Sequence, residues 1–360
     1  MDKYSEASAF RLLDLPNELI RLVGVEADKK DALALSTTCR QLRQDLISLV
    51  FSRTRVIMKP YKMFQYTYHN LKPEMANSDG MLTRIRMADL MLSSLHPSLP
   101  RGEVMAGVIK RMTSLRSLTL RWEGEYWQQL DLFIYELRAE PRVGGLKRLE
   151  LRNNLQRNAL VECLGANLKT LIIPMDFVHP FNFMAASASC KVLESLWVEQ
   201  SWMWGSRITF WDNEMVIQIA KAFPRLKSLV IRRNVCALPR IHSPSRGTNS
   251  ASRRTGSLEK LGQILSEKLP NLEVFARTVL HGEGTDFLCQ MREIIPLVIK
   301  DHQKLKELVL FAGTGGLVRW KRESNQITWE DSPWDGVGRR WGVGETGVPG
   351  YILPRSFEDK

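Results

Sequence analysis

The residues best equipped for chemistry in this chain are scattered. Six histidines, at positions 69, 96, 179, 242, 281 and 302, form no H-x-x-x-H or H-E-x-x-H pair, the spacing that would set two imidazoles on one helical face around a metal. His281-Gly282-Glu283-Gly284-Thr285-Asp286 holds a base and two acids of the types used in proton transfer. Its two glycines read better as a turn between a strand and a helix. No G-x-S-x-G elbow or P-loop occurs. Gly336-Val337-Gly338-Arg339-Arg340-Trp341-Gly342 follows no buried strand and opens no helix, so it does not read as a nucleotide loop. The five cysteines (39, 163, 190, 236 and 289) are odd in number and have no C-x-x-C pair. That pattern predicts reduced thiols, not a disulfide framework or zinc site. The expectation is a chain that is not an enzyme, with no catalytic residues, no metal and no cofactor.

The remaining chemistry is recognition, carried by arginine, glutamate and tryptophan around a recurring hexad. The pattern L-x-x-L-x-(L/I/V) begins at Leu115, Leu146, Leu168, Leu193, Leu226 and Leu305, and a degenerate copy begins at Leu272 with Arg277 in its last place. On a strand, alternate side chains face opposite sides. The second and third apolar residues of each hexad therefore point into a core, and the intervening ones point away from it. Asn154 and Asn234 continue two copies to a ninth position. These residues resemble the leucine-rich repeat, whose asparagine hydrogen-bonds backbone after the strand. The resemblance implies an α/β solenoid with parallel strands on a concave face and helices on a convex one. The copies recur at intervals of 31, 22, 25, 33, 46 and 33 residues, which makes the solenoid irregular. Helical stretches are expected at Asp131–Arg138, Asn213–Ala222, Leu258–Leu269 and Phe287–Asp301. The expected target-binding surface is the concave set Arg121, Arg148, Glu150, Arg152, Trp197, Glu199 and Arg232, with Trp202 and Trp204 in the following turn. An exposed tryptophan beside arginines suits a protein interface.

Residues 10–58 read as a compact helical unit. Pro16 suits the first position of a helix, Glu18 suits its dipole, and Gly24 is expected to end or weaken it. Asp31 is expected to cap a longer helix running to about Val50, with Leu35, Cys39, Leu42, Leu46 and Leu49 along one face. So small a unit buries little core and must borrow apolar surface from a neighbour. Leu15-Pro16-Asn17-Glu18-Leu19 followed by Asp31–Arg43, and then by the exit Leu49–Ile57, resembles an F-box of fungal type. The resemblance implies docking to the Skp-type adaptor of a cullin ubiquitin ligase through Leu13, Leu15, Pro16, Leu19, Ile20, Leu33, Leu35, Cys39 and Leu42. It implies a substrate-recognition subunit that holds a protein target on its repeats. Two other readings are an adaptor-bound scaffold that joins no cullin, and a repeat protein binding nucleic acid or anionic surfaces.

The formal net charge is +12. It is spread along the chain except at 238–257, which holds four arginines and no acid. Dedicated nucleic-acid binding is therefore not expected. No apolar run approaches a membrane span, and the charged N-terminus does not read as a secretory signal. The expected location is cytoplasmic, nuclear or both. The domain reading runs as a disordered 1–9, the helical module 10–58, a linker or first irregular repeat 59–103, the repeats 104–312 with a mobile loop at 238–257, and a Trp/Gly-rich cap and tail 313–360. Within that tail, Gly316–Trp320 and Gln326–Trp329 are expected to pair as strands.

Overall fold

The computed structural model describes residues 12, 15–27, 29–52, 55–58, 82–93, 102–123, 127–139, 144–152, 156–175, 181–201, 213–234, 260–279, 284–312 and 316–331. The fold is mixed α/β. Its contacts divide the chain into two units, Met1–Glu199 with Ile217–Lys227, and Gln200–Val216 with Ser228–Lys360. The 238–257 loop and the tail beyond 331 lie outside the described residues.

The first unit opens with three helices, α1 (Asn17–Glu26), α2 (Lys29–Thr38) and α3 (Arg40–Ser52). The single long helix expected from 31 to 50 is broken at Cys39. The hydroxyls of Thr37 and Thr38 donate back to the carbonyls of Ala34 and Leu35, both at 2.7 Å, local bonding that competes with the helix ladder. The Cys39 Sγ then accepts from the Leu42 amide at 3.4 Å, serving as the start cap of α3. Asp31 therefore lies in the first turn of α2 and does not cap it. Pro16 occupies the N-cap position of α1, and the helix runs on through a buried Gly24.

Strand and helix then alternate: β1 (Arg55–Met58), β2 (Met87–Ser93), α4 (Gly102–Arg111), β3 (Ser117–Glu123), α5 (Trp127–Ala139), β4 (Arg148–Leu151), α6 (Arg157–Leu164), β5 (Thr170–Met175), α7 (Phe183–Ser189) and β6 (Ser195–Ser201). The strands are hydrogen-bonded in chain order, and β1 through β5 pair parallel. Three hexads of this stretch open on a tight turn in which the first leucine donates to the carbonyl three residues earlier. Leu115 reaches Met112 at 2.9 Å, Leu168 reaches Gly165 at 3.1 Å and Leu193 reaches Cys190 at 3.3 Å. The strands then stack so that Leu118 faces Leu149, Leu149 faces Leu171 and Leu120 faces Leu151, all of them buried. Apolar helix residues such as Met105, Ile109, Phe133 and Leu160 are buried as well.

One further copy has isoleucine and alanine in its first two leucine places. Ile85-Arg86-Met87-Ala88-Asp89-Leu90 forms the same turn, Ile85 donating to Leu82 at 3.2 Å, and pairs Ala88 with Leu118 and Leu90 with Leu120. Alanine stands where the pattern calls for leucine. The sheet thus reaches back through the 59–103 span to β1, inside the segment read as the helical module.

The second unit continues with α8 (Asn213–Ala222), which spans the division, then β7 (Ser228–Asn234), α9 (260–268), β8 (Val274–Val279), α10 (Gly284–Ile299), β9 (Glu307–Ala312), β10 (Gly316–Lys321) and β11 (Gln326–Asp331). Strands β7, β8 and β9 are parallel, and the expected hairpin of β10 and β11 is antiparallel to β9 and within itself. The expected helices all appear; Asn213–Ala222 matches at both ends, and the other three differ by up to four residues. Arg277 takes the last hexad place between Ile231 and Leu310, buried, and its guanidinium donates to the Asn213 side chain at 3.3 Å. Trp320 is buried and donates to Asn325 at 3.2 Å, with the Arg322 guanidinium 5.4 Å from its ring.

Close approach of α4 to α5 requires a glycine. A Cβ at Gly102 would overlap the Gln129 carbonyl and lie 2.6 Å from the Phe133 amide. Gly102→Ala is expected to destabilise the chain by about 1–3 kcal/mol through overpacking, read as a lowered thermal unfolding midpoint.

Candidate docking surfaces

The helical module satisfies its own core with few residues. Ile20, Ala32, Leu42 and Leu46 are buried together, and Leu12, Leu15, Ala27, Leu35 and Cys39 pack against them. Two residues expected at an adaptor surface, Ile20 and Leu42, are thereby spent internally, at 1% and 5% exposure. Spacing by four along α1 turns Ile20 and Gly24 to the core. Pro16 and Leu19 remain exposed. Leu13 and the Leu33 side chain lie outside the described residues.

The same helix leaves an apolar surplus on its other side. Leu19 is 44% exposed, Leu22 56%, Val23 40% and Val25 42%. These are four of the eight exposed large hydrophobic residues among those described. Residues 19, 22 and 23 share one helical face. Leu22 and Val23 look in sequence like core residues, because an amphipathic pattern does not say which apolar face a neighbour covers.

On the sheet, the hexad positions expected to face solvent mostly face one another. Glu150 is buried, not exposed: Arg152 Nε donates to its carboxylate at 2.5 Å, Thr119 Oγ1 lies at 3.4 Å, and Arg148 stands 3.6 Å away. Arg148, Glu150 and Arg152 alternate along or just past β4, so they project to one face. Arg121 pairs with Asp89 on β2 at 3.1 Å. Asp89 lies in the copy that begins at Ile85, and its signal is the hexad place it shares with Thr119 and Glu150. A carboxylate removed from water needs such partners.

Trp197 is also buried, at 4% exposure, which overturns the expectation of an exposed tryptophan. A side chain standing on a sheet is shielded by the strand beside it, about 4.8 Å away. Its indole N–H has no hydrogen-bond partner among the described residues. Glu199 and Arg232 are half-buried and hold interactions of their own. Trp202 and Trp204 lie outside the described residues.

The groups with chemical potential elsewhere are structural. Buried His302 accepts from the Leu305 amide at Nδ1 (3.1 Å) and shares its Nε2 proton with the Leu269 carbonyl (3.0 Å). This bracing joins the turn before β9 to the turn before β8. Among the described residues no group of three or more His, Cys, Asp or Glu is placed to hold a metal ion, and no helix is long and apolar enough to cross a membrane. Compared with known proteins, the chain matches no family model and no curated protein.

Burial pushes the Cys190 thiol up to about 12, and burial also raises Cys163, with the nearby Arg138 pulling back part of that shift. The folded core therefore holds Cys190 as the neutral thiol. Any stability linked to this site is kept below the free-thiol value of 9.0 and lost as pH rises through about 12. At pH 8, iodoacetamide is expected to modify exposed Cys289 in the folded chain and to spare Cys190 until denaturant is added, as read by peptide mass mapping.

Proposed function

We propose that this chain is a substrate-recognition subunit of a Skp–cullin–F-box ubiquitin ligase. Residues 10–58 serve as the F-box and bind a Skp-type adaptor, and the hexad-bearing units form an irregular leucine-rich-repeat solenoid that holds a protein target. The chain supplies proximity between target and ligase, with the chemistry carried out by its partners. The observation that carries the reading is the exposed apolar face of α1, which starts at the last residue of the Leu15-Pro16-Asn17-Glu18-Leu19 motif. A module whose core is already filled by Ile20, Ala32, Leu42 and Leu46 has no internal use for Leu19, Leu22 and Val23. Clustered exposed side chains of this kind suit a partner that covers them. In-register hexads with a repeated opening turn support the solenoid part of the reading.

The test separates the outer face of α1 from its inner one. Leu19→Asp with Leu22→Asp is expected to leave the unfolding midpoint unchanged and to abolish retention of a Skp-type adaptor by the tagged full-length chain. Burying each leucine contributes about 1.5–3 kcal/mol, so affinity should fall by at least about a hundredfold. Ile20→Asp is expected to unfold the module instead. Full adaptor retention by the outer-face variant would sink the docking reading. Adaptor capture without cullin would point to the non-ligase scaffold.

A further inference from the structure

The net charge of +12 looks diluted in the sequence, yet folding gathers much of it. In the six hexads from Ile85 to Leu226 the second residue is Arg86, Arg116, Lys147, Lys169, Glu194 and Lys227 in chain order. All six belong to the first unit. One backbone ladder joins them: Arg116 donates to the Arg86 carbonyl, Lys147 to Arg116 and Lys169 to Lys147, each at 2.8 Å. Glu194 then donates to Lys169 at 2.9 Å, and Lys227 to Glu194 at 2.8 Å. The five cations of the row are exposed. Rungs of such a ladder are about 4.8 Å apart, so the row is a rigid line of charge about 24 Å long.

The row itself displays the chemistry it favours. At its one acidic rung, the Glu194 carboxylate sits between its neighbours, 3.7 Å from Lys169 and 3.5 Å from Lys227. Arg86, Arg116 and Lys147 occupy equivalent rungs and have no ion-pair partner among the described residues. We propose that these three rungs bind an acidic peptide segment, receiving carboxylates from a partner protein as Lys169 and Lys227 receive Glu194. Alternate side chains of an extended peptide lie about 6.6 Å apart, and the long Arg and Lys stems span the difference from the rung spacing. Arginine adds bidentate recognition of a carboxylate. A nucleic-acid strand fits less well. The row carries no aromatic side chain on which bases stack, and Glu194 would repel a phosphate backbone. This surface is separate from the α1 face and does not depend on the ligase reading.

The test is fluorescence anisotropy of a labelled twelve-residue peptide of alternating Glu and Ser, titrated with the full-length chain. The expected result is binding that weakens with salt and falls at least about tenfold in Arg86→Ser/Arg116→Ser/Lys147→Ser. Arg116→Ser alone, expected to lower affinity severalfold, keeps the test decisive should the triple variant unfold. A control triple at exposed cations elsewhere, Lys260→Ser/Lys268→Ser/Arg292→Ser, is expected to bind within twofold of the unsubstituted chain. No peptide binding, or equal losses in both triples, overturns the proposal. So does a short DNA duplex that binds more tightly than the peptide and loses that binding in the row variant, because the row would then be a nucleic-acid surface.

Discussion

A single backbone carbonyl serving two amides organises much of this fold. Within each unit, the carbonyl of the second hexad residue accepts from the second residue of the next hexad, and at most rungs from the third as well. Arg86 receives Arg116 and Ser117, Arg116 receives Lys147 and Arg148, and Lys147 receives Lys169 and Thr170. Glu273 does the same for Lys306 and Glu307 in the second unit. This junction fixes the register of the strands, and register decides whether leucines meet leucines. The intervals between hexads vary from 22 to 46 residues, but that variation falls in the helices and loops. What must stay constant is short: a tight turn, a leucine that closes it, and two alternating apolar residues.

The helical module answers a different constraint. It is too small to bury many side chains, so its helices share a minimal core and leave the remaining apolar residues of α1 outside. The break at Cys39 lets α2 and α3 fold as separate helices in place of one rod. Two threonine hydroxyls and one thiol produce the break, each bonding to backbone within three residues. The exposed apolar side of α1 is the feature that most favours a docking role. The core on the other side of the helix is already filled by Ile20, Ala32, Leu42 and Leu46.

Much of the fold was legible because period-two alternation is a local property. The hexads, the helices between them and the hairpin of β10 and β11 all follow from short-range pattern. The misses have local causes as well. Alanine at 88 hid β2 from a search for leucine, and with it Asp89, the partner of Arg121. The Ser36-Thr37-Thr38-Cys39 run carried the helix break, but an apolar stripe continuing through Cys39 outweighed it. Arg277 marked a degenerate copy, and only the fold supplied Asn213, 64 residues earlier, to receive its guanidinium.

The sequence by itself determined which side chains share a face of each strand, because alternation needs nothing beyond the strand. It determined that the second hexad residue is usually basic. The tertiary structure decided which faces are covered and which charges are neighbours. Parallel strands about 4.8 Å apart bring together residues more than 20 positions distant in the chain. Glu150 is enclosed by arginines and Trp197 is buried for that reason. For the same reason a diluted positive charge becomes one row, interrupted only by Glu194.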